Sequence, residues 1–237
     1  MSYSENPPAA TGTEQEPLLG RAGDATQKQE QPILYNLVLG TAVVAQGGIW
    51  VLTAIVWGAV FSSNLMLFSA HPLLNSAAVL LFVQAILLVQ PTATKSQKIQ
   101  GANYHAAVND TAVLLAIAGL VVIEYNKIDH GGTHFVSAHA ILGLTTYLLI
   151  ALQAVVGITM YFTPGLYGGV DNAKSLYKYH RASGYLALLL LLATVCAATY
   201  TDFNKNVLGM QLWAVVVSSV LVVVGIGARM KKSKFGL

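Results

Sequence analysis

The chain has 237 residues, of which 55% are hydrophobic and only 10% charged, with a formal net charge of +3. A soluble domain carries about a quarter charged residues, so this composition excludes a mostly water-facing surface and makes lipid the main solvent. The small net charge gives no case for nucleic acid. A single cysteine, Cys196, set in an apolar run, excludes a disulfide framework or a cysteine-based metal site.

Residues 1–34 are rich in Pro, Gly, Glu, Gln, Ser and Thr. They bury too little apolar surface to offset ordering and read as a disordered cytosolic tail. They also lack the apolar core of a secretory signal. Within them, residues 14–19 (EQEPLL) have the acidic dileucine form that sorting adaptors read, a pattern loose enough to arise by chance.

Six apolar stretches follow, at residues 35–61, 65–89, 102–123, 135–162, 179–200 and 207–228. About 20 helical residues cross a hydrocarbon core of about 30 Å. Backbone groups in lipid must pair internally, and runs this long favour helices over barrel strands. The predicted fold is therefore all-α, a six-helix membrane bundle over residues 35–230, followed by a basic tail, 231–237. Pro91, Gly131-Gly132 and Pro164-Gly165 supply breaks between spans.

Lys and Arg set the orientation. With the N-terminus in the cytosol, the inner segments hold Arg21, Lys28, Lys95, Lys98, Lys174, Lys178, Arg181, Arg229, Lys231, Lys232 and Lys234. The outer loops hold only Lys127 and Lys205. Both termini are expected to be cytosolic.

Four histidines fall one per span on spans two to five: His71, His105, His139 and His180. Each lies near the start of its span, and alternate spans run in opposite directions. His71 and His139 thus share a depth near the outer face, and His105 and His180 share one near the inner face. Ionisable residues within spans mark function by default. A lone membrane histidine is often just hydrogen-bonded to a neighbouring helix, but two depth-matched pairs fit that reading poorly. Paired imidazoles suit iron and hold a low-spin haem. Zinc fits less well, because each depth offers only two ligands. One turn on, on the same helix face, Gly143 follows His139 and Gly184 follows His180, leaving room for a porphyrin or serving helix contact. Asn75 and Asn109 follow His71 and His105 at the same spacing, placed to bond a haem edge or a neighbouring helix.

The pattern resembles the cytochrome b561 family. The residues that carry the likeness are Ala70-His71-Pro72-Leu73, Lys98 seven before His105, and His134-Phe135-Val136-Ser137-Ala138-His139 followed by Gly143. The stretch Leu176-Tyr177-Lys178-Tyr179-His180-Arg181-Ala182-Ser183-Gly184 completes them. Leu88-Val89-Gln90-Pro91 stands where better-known members carry an aromatic–arginine pair, which is closer to the divergent tumour-suppressor-type branch. The resemblance implies a four-helix core of helices two to five holding two haem b groups, on His71 with His139 and on His105 with His180. It also implies a transmembrane oxidoreductase taking electrons from cytosolic ascorbate to monodehydroascorbate or ferric iron on the other side. The location expected is an endomembrane (vesicle, endosome or vacuole) or the plasma membrane, with a homodimer left open.

An anionic donor needs cations, and Lys95, Lys98, Lys174, Lys178 and Arg181 flank the inner pair, although they also simply obey the orientation rule. Lys98 and Arg181 lie closest to the histidines. On the outer side His134, and less so His130, is placed for an acceptor. The competing class is a non-haem six-helix transporter relaying protons through the histidines. Transporter sites sit near the midplane on broken helices, unlike these.

Overall fold

The computed structural model describes residues 25–235. The motif at 14–19 lies outside them. Among the described residues there is no strand, and six α-helices carry the fold: α1 Ala42–Phe61, α2 Ala70–Val89, α3 Lys95–Asp129, α4 Ala138–Phe162, α5 Val170–Ala198 and α6 Leu212–Gly227. The helices α1 to α5 are long and apolar enough to cross a membrane. The protein is a multi-pass membrane bundle.

Most helix boundaries differ from the sequence expectation by several residues, and at the starts of α3, α5 and α6 the cause is local. α3 starts at Lys95 rather than 102, because Thr94 accepts from the Gln97 N–H while the Gln97 side chain returns to the Thr94 backbone. This reciprocal cap starts a helix in polar sequence. α5 starts at Val170 rather than 179, directly after Gly168 and Gly169, whose φ values of 79° and 119° turn the chain. α6 starts at Leu212 rather than 207. Gly209 adopts a left-handed backbone at φ 65°, and the Asn204 amide ties the turn to Thr199 O and Met210 O. Its 16 residues rise about 24 Å. His105 and His180 consequently lie well inside their helices, about 15 Å from each start.

The bundle is built from two antiparallel hairpins. α2 packs along α3, and α4 along α5, while α3 meets α4 and α2 meets α5 only sparsely. The two hairpins touch only sparsely along the seam between them. α1 and α6 flank this core and pack tightly on each other. A β-carbon on Gly48 would run into Ser218 O, and one on Gly225 into the Ala45 backbone and Thr41 O. The apolar core formed by Ile49, Leu52, Val83, Leu87, Leu188, Val215 and Val222 joins α1, α2, α5 and α6.

Both described termini lie at the end where α2 turns into α3. Residues 25–34, expected as tail, are held there: Gln27 N donates to Pro91 O at 3.0 Å, and Gln97 Nε2 to Gln27 O at 3.3 Å. Composition missed this because amide side chains find specific partners rather than apolar cover. From the other terminus Arg229, 1% exposed, donates to Asn36 O and Leu87 O, and Lys234 Nζ donates to Gln90 O at 2.6 Å.

Candidate metal centres

His71 stands at the start of α2 and His139 at the start of α4, where Ser137 Oγ accepts from Ala140 N and fixes the first turn. Their ring centres are 6.2 Å apart across the seam, with planes at 89°. Phe68 lies parallel to the His71 ring at 5.6 Å, and Phe203 supports Phe68 edge-on at 4.6 Å. At the other end of the bundle His105 on α3 and His180 on α5 are close enough to interact electrostatically. Each pair therefore takes one histidine from each hairpin.

The second nitrogen of each ring is anchored inside its own hairpin. His71 Nδ1 donates to Gly119 O at 2.9 Å, His105 Nδ1 to Ala85 O at 3.0 Å, and His139 Nδ1 to Thr194 O at 2.9 Å. A carbonyl only accepts, so the proton sits on Nδ1 and the Nε2 lone pair is left for another partner. Metal-ligating histidines are oriented in this way. His180 is the exception, with a buried Nδ1 that has no partner. His105 Nε2 accepts from Asn109 Nδ2 at 2.9 Å. That amide occupies the lone pair a metal would take and would have to swing aside.

At the His71–His139 pair the residues present fit a haem held between two imidazoles. An imidazole nitrogen binds a transition-metal ion at about 2 Å, so two rings gripping one ion have centres about 6 Å apart, as His71 and His139 do. The glycines also sort themselves. A β-carbon on Gly143 or Gly184 would come no nearer than 3.7 Å or 3.6 Å to any side chain, so helix packing does not require glycine there. Each β-carbon would instead meet an ordinary van der Waals contact from the facing helix, Thr194 on α5 or Gln153 on α4.

Asn75 does not reach a free edge. Its Nδ2 donates to His71 O at 2.9 Å, and its Oδ1 accepts from Tyr147 OH at 2.6 Å. Gly119 must be glycine because the Asn75 amide occupies the position of a β-carbon. Neither Tyr147 nor Gly119 was singled out by sequence, since hydrogen bonds to main-chain carbonyls leave no side-chain pattern to read.

The expected substrate residues separate into those brought together and those not. Arg181, half-buried, donates to Lys234 O and lies 5.7 Å from the Phe235 ring. Lys98, Arg181, Lys231 and Arg229 all act electrostatically on Lys234. Burial and these cations push the Lys234 ammonium down to about 8, and burial lowers Arg229 to about 10. Lys234 and Phe235 thus belong to this cationic end, which the sequence indicated only as a basic tail. Lys178 lies over the Tyr179 ring at 5.1 Å, and Lys174 pairs with Asp171 at 3.3 Å. Lys95 lines a polar groove of about 520 Å³ with Gln27, Gln31 and Gln100. At the opposite end His134 Nε2 bonds Glu124 Oε2 at 2.8 Å beside Phe135, which holds a left-handed backbone at φ 57°. His130 lies 3.7 Å from Asp129.

The sequence profile of the eukaryotic cytochrome b561 family matches residues 70–205, more than half of the chain and all four paired histidines. The chain belongs to the cytochrome b561 family. Family membership implies haem b binding. Among relatives, the human "Transmembrane reductase CYB561D2" is 32% identical over 143 residues, covering 57% of this chain and 64% of that one. The Arabidopsis thaliana "Transmembrane ascorbate ferrireductase 2" is 24% identical over 163 residues, covering 67% and 70%. The Xenopus laevis "Plasma membrane ascorbate-dependent reductase CYBRD1" is 27% identical over 181 residues, covering 74% and 60%. The chain spans between 44% and 72% of the length of the curated relatives it matches.

Proposed function

We propose that this b561 protein is a transmembrane oxidoreductase that passes single electrons from cytosolic ascorbate to monodehydroascorbate or ferric iron on the other side. In this reading His71 with His139, and His105 with His180, each hold one haem b. The observation that carries it is the meeting of His71 and His139 at 6.2 Å, each with Nδ1 anchored on a main-chain carbonyl. When bound, the haem iron supplies the one-electron change, while the protein supplies distance, dryness and tuning.

The donor's end is that of the cations. Lys98, Arg181 and Lys234 gather there beside both described termini, and the excess of Lys and Arg supports a cytosolic side for this end. These groups draw an anionic enediol such as ascorbate towards His180, with Lys95 and Lys178 as outlying attractors. At the opposite end His134 and Glu124 offer a nitrogen and a carboxylate to an incoming acceptor. Relatives named as ascorbate-dependent reductases and ferrireductases support the donor and acceptor classes. The continuous helices α2 to α5 speak against a proton-relaying transporter.

The test is a reduced-minus-oxidised visible spectrum of the purified protein, followed by ascorbate reduction in liposomes loaded with ferric citrate. Haem bands that develop with ascorbate, and ferrous iron appearing inside, are expected. A colourless protein overturns the reading.

A further inference from the structure

We propose that Tyr147 is a positioning residue that fixes the ring plane of His71 through Asn75. The inference rests on the reading that His71 and His139 hold a haem. Tyr147 lies on α4 two turns beyond His139, about 12 Å along the helix, and reaches across the seam to the other hairpin. Its hydroxyl donates to Asn75 Oδ1 at 2.6 Å, with Ala116 O as a second acceptor at 3.1 Å. Asn75 Nδ2 in turn donates to His71 O at 2.9 Å, and the amide fills the hollow above Gly119. The carbonyl of Gly119 then takes the His71 Nδ1 proton at 2.9 Å. One phenol thus ties α2, α3 and α4 together at the group that orients the imidazole.

A purely packing role is the alternative. Tyr147 does pack against the small-residue layer of Ala78, Ala112 and Ala116, with Leu81, Phe82 and Leu115 beside it. Phenylalanine would serve that role equally well, so the hydroxyl needs another explanation. Without it Asn75 Oδ1 loses its donor and the amide, whose Nδ2 lies 3.3 Å from His71 Nδ1, can rotate, leaving the ring to Gly119 O and the parallel Phe68 ring. The quantity at stake is the 89° angle between the His71 and His139 planes. If His71 and His139 hold a haem iron, that angle would govern the splitting of the iron d orbitals. It therefore sets the g-anisotropy of the centre and contributes to its potential.

The experiment is low-temperature electron paramagnetic resonance with a redox titration on the full-length protein, comparing wild type with Tyr147→Phe, Asn75→Leu and Phe82→Leu. The expected result is that Tyr147→Phe and Asn75→Leu move the largest g-value and the midpoint of one centre and leave the other in place. The double variant should add little to either single change, as for residues in one network. Phe82→Leu, which alters the same layer without touching the amide, should leave both signals unmoved. Spectra of Tyr147→Phe that superimpose on wild type, or equal shifts in both centres, overturn the proposal. His71→Ala separates the two levels: if it leaves both signals intact, the haem assignment itself has failed.

Discussion

Gly119 gives its carbonyl oxygen to His71 Nδ1 while leaving the Asn75 amide the room a β-carbon would occupy. The glycine is needed for a close approach inside the α2–α3 hairpin rather than for backbone freedom. Gly119→Ala therefore overpacks the site and lowers stability by about 1–3 kcal/mol. Thermal unfolding followed by circular dichroism checks this, together with loss of haem at the His71 end. An unchanged melt with full haem content would contradict it.

Gly143 and Gly184 make the opposite case. Protein packing tolerates a β-carbon at both, with nearest contacts of 3.7 Å and 3.6 Å. Gly143→Ala, whose added β-carbon the packing admits, is expected to fold and insert yet retain less haem than wild type. Gly48→Ala, at the α1–α6 contact, is expected to lose stability first. Haem-to-protein ratios and melting midpoints of the two variants separate these effects.

Lys234 makes donor affinity pH-dependent. Its ammonium is lowered to about 8 from 10.5, first by burial and then by Arg181, Lys231, Lys98 and Arg229. The positive charge is thus present below about 8 and lost as pH rises through it. KM for ascorbate is expected to climb above about pH 8 and to climb less in Lys234→Arg, which stays charged. For stability the sign is opposite. The unfolded chain holds the extra proton between about 8 and 10.5, so the contribution of this residue to stability rises with pH across that window. Steady-state reduction at a series of pH values is the check, and a flat KM contradicts the role of Lys234.

His134 and Glu124 form an exposed pair worth about 0–1 kcal/mol to the fold, so His134→Ala is expected to leave stability unchanged. Reoxidation by a ferric chelate should slow several-fold in this variant, while reduction by ascorbate keeps its rate. Stopped-flow measurement of the two half-reactions distinguishes them. Equal slowing of both would place His134 outside acceptor docking.

Much of the architecture was legible because lipid imposes simple rules: long apolar runs, internal backbone pairing and cations on one side. The depth matching of the histidines followed from the alternating direction of the spans, and the structure holds the His71 and His139 ring centres 6.2 Å apart with planes at 89°. The start of α3 was also open to reading, since Thr94 and Gln97 have the spacing of a reciprocal cap, but hydropathy alone overlooked polar residues that continue a helix beyond the membrane. The anchors of His71, His105 and His139 were not legible, because Gly119, Ala85 and Thr194 contribute only main-chain oxygens. Nor was the return of Lys234 and Phe235 onto Arg181, which depends on a tertiary path no local pattern encodes.

The most direct test of the two-centre account is haem stoichiometry in wild type, His71→Ala and His105→Ala, measured by pyridine haemochrome against protein concentration. Two haems per chain are predicted for wild type and one for each variant, with different spectral components missing. Retention of both haems in either variant, or a wild type that binds none, would contradict it.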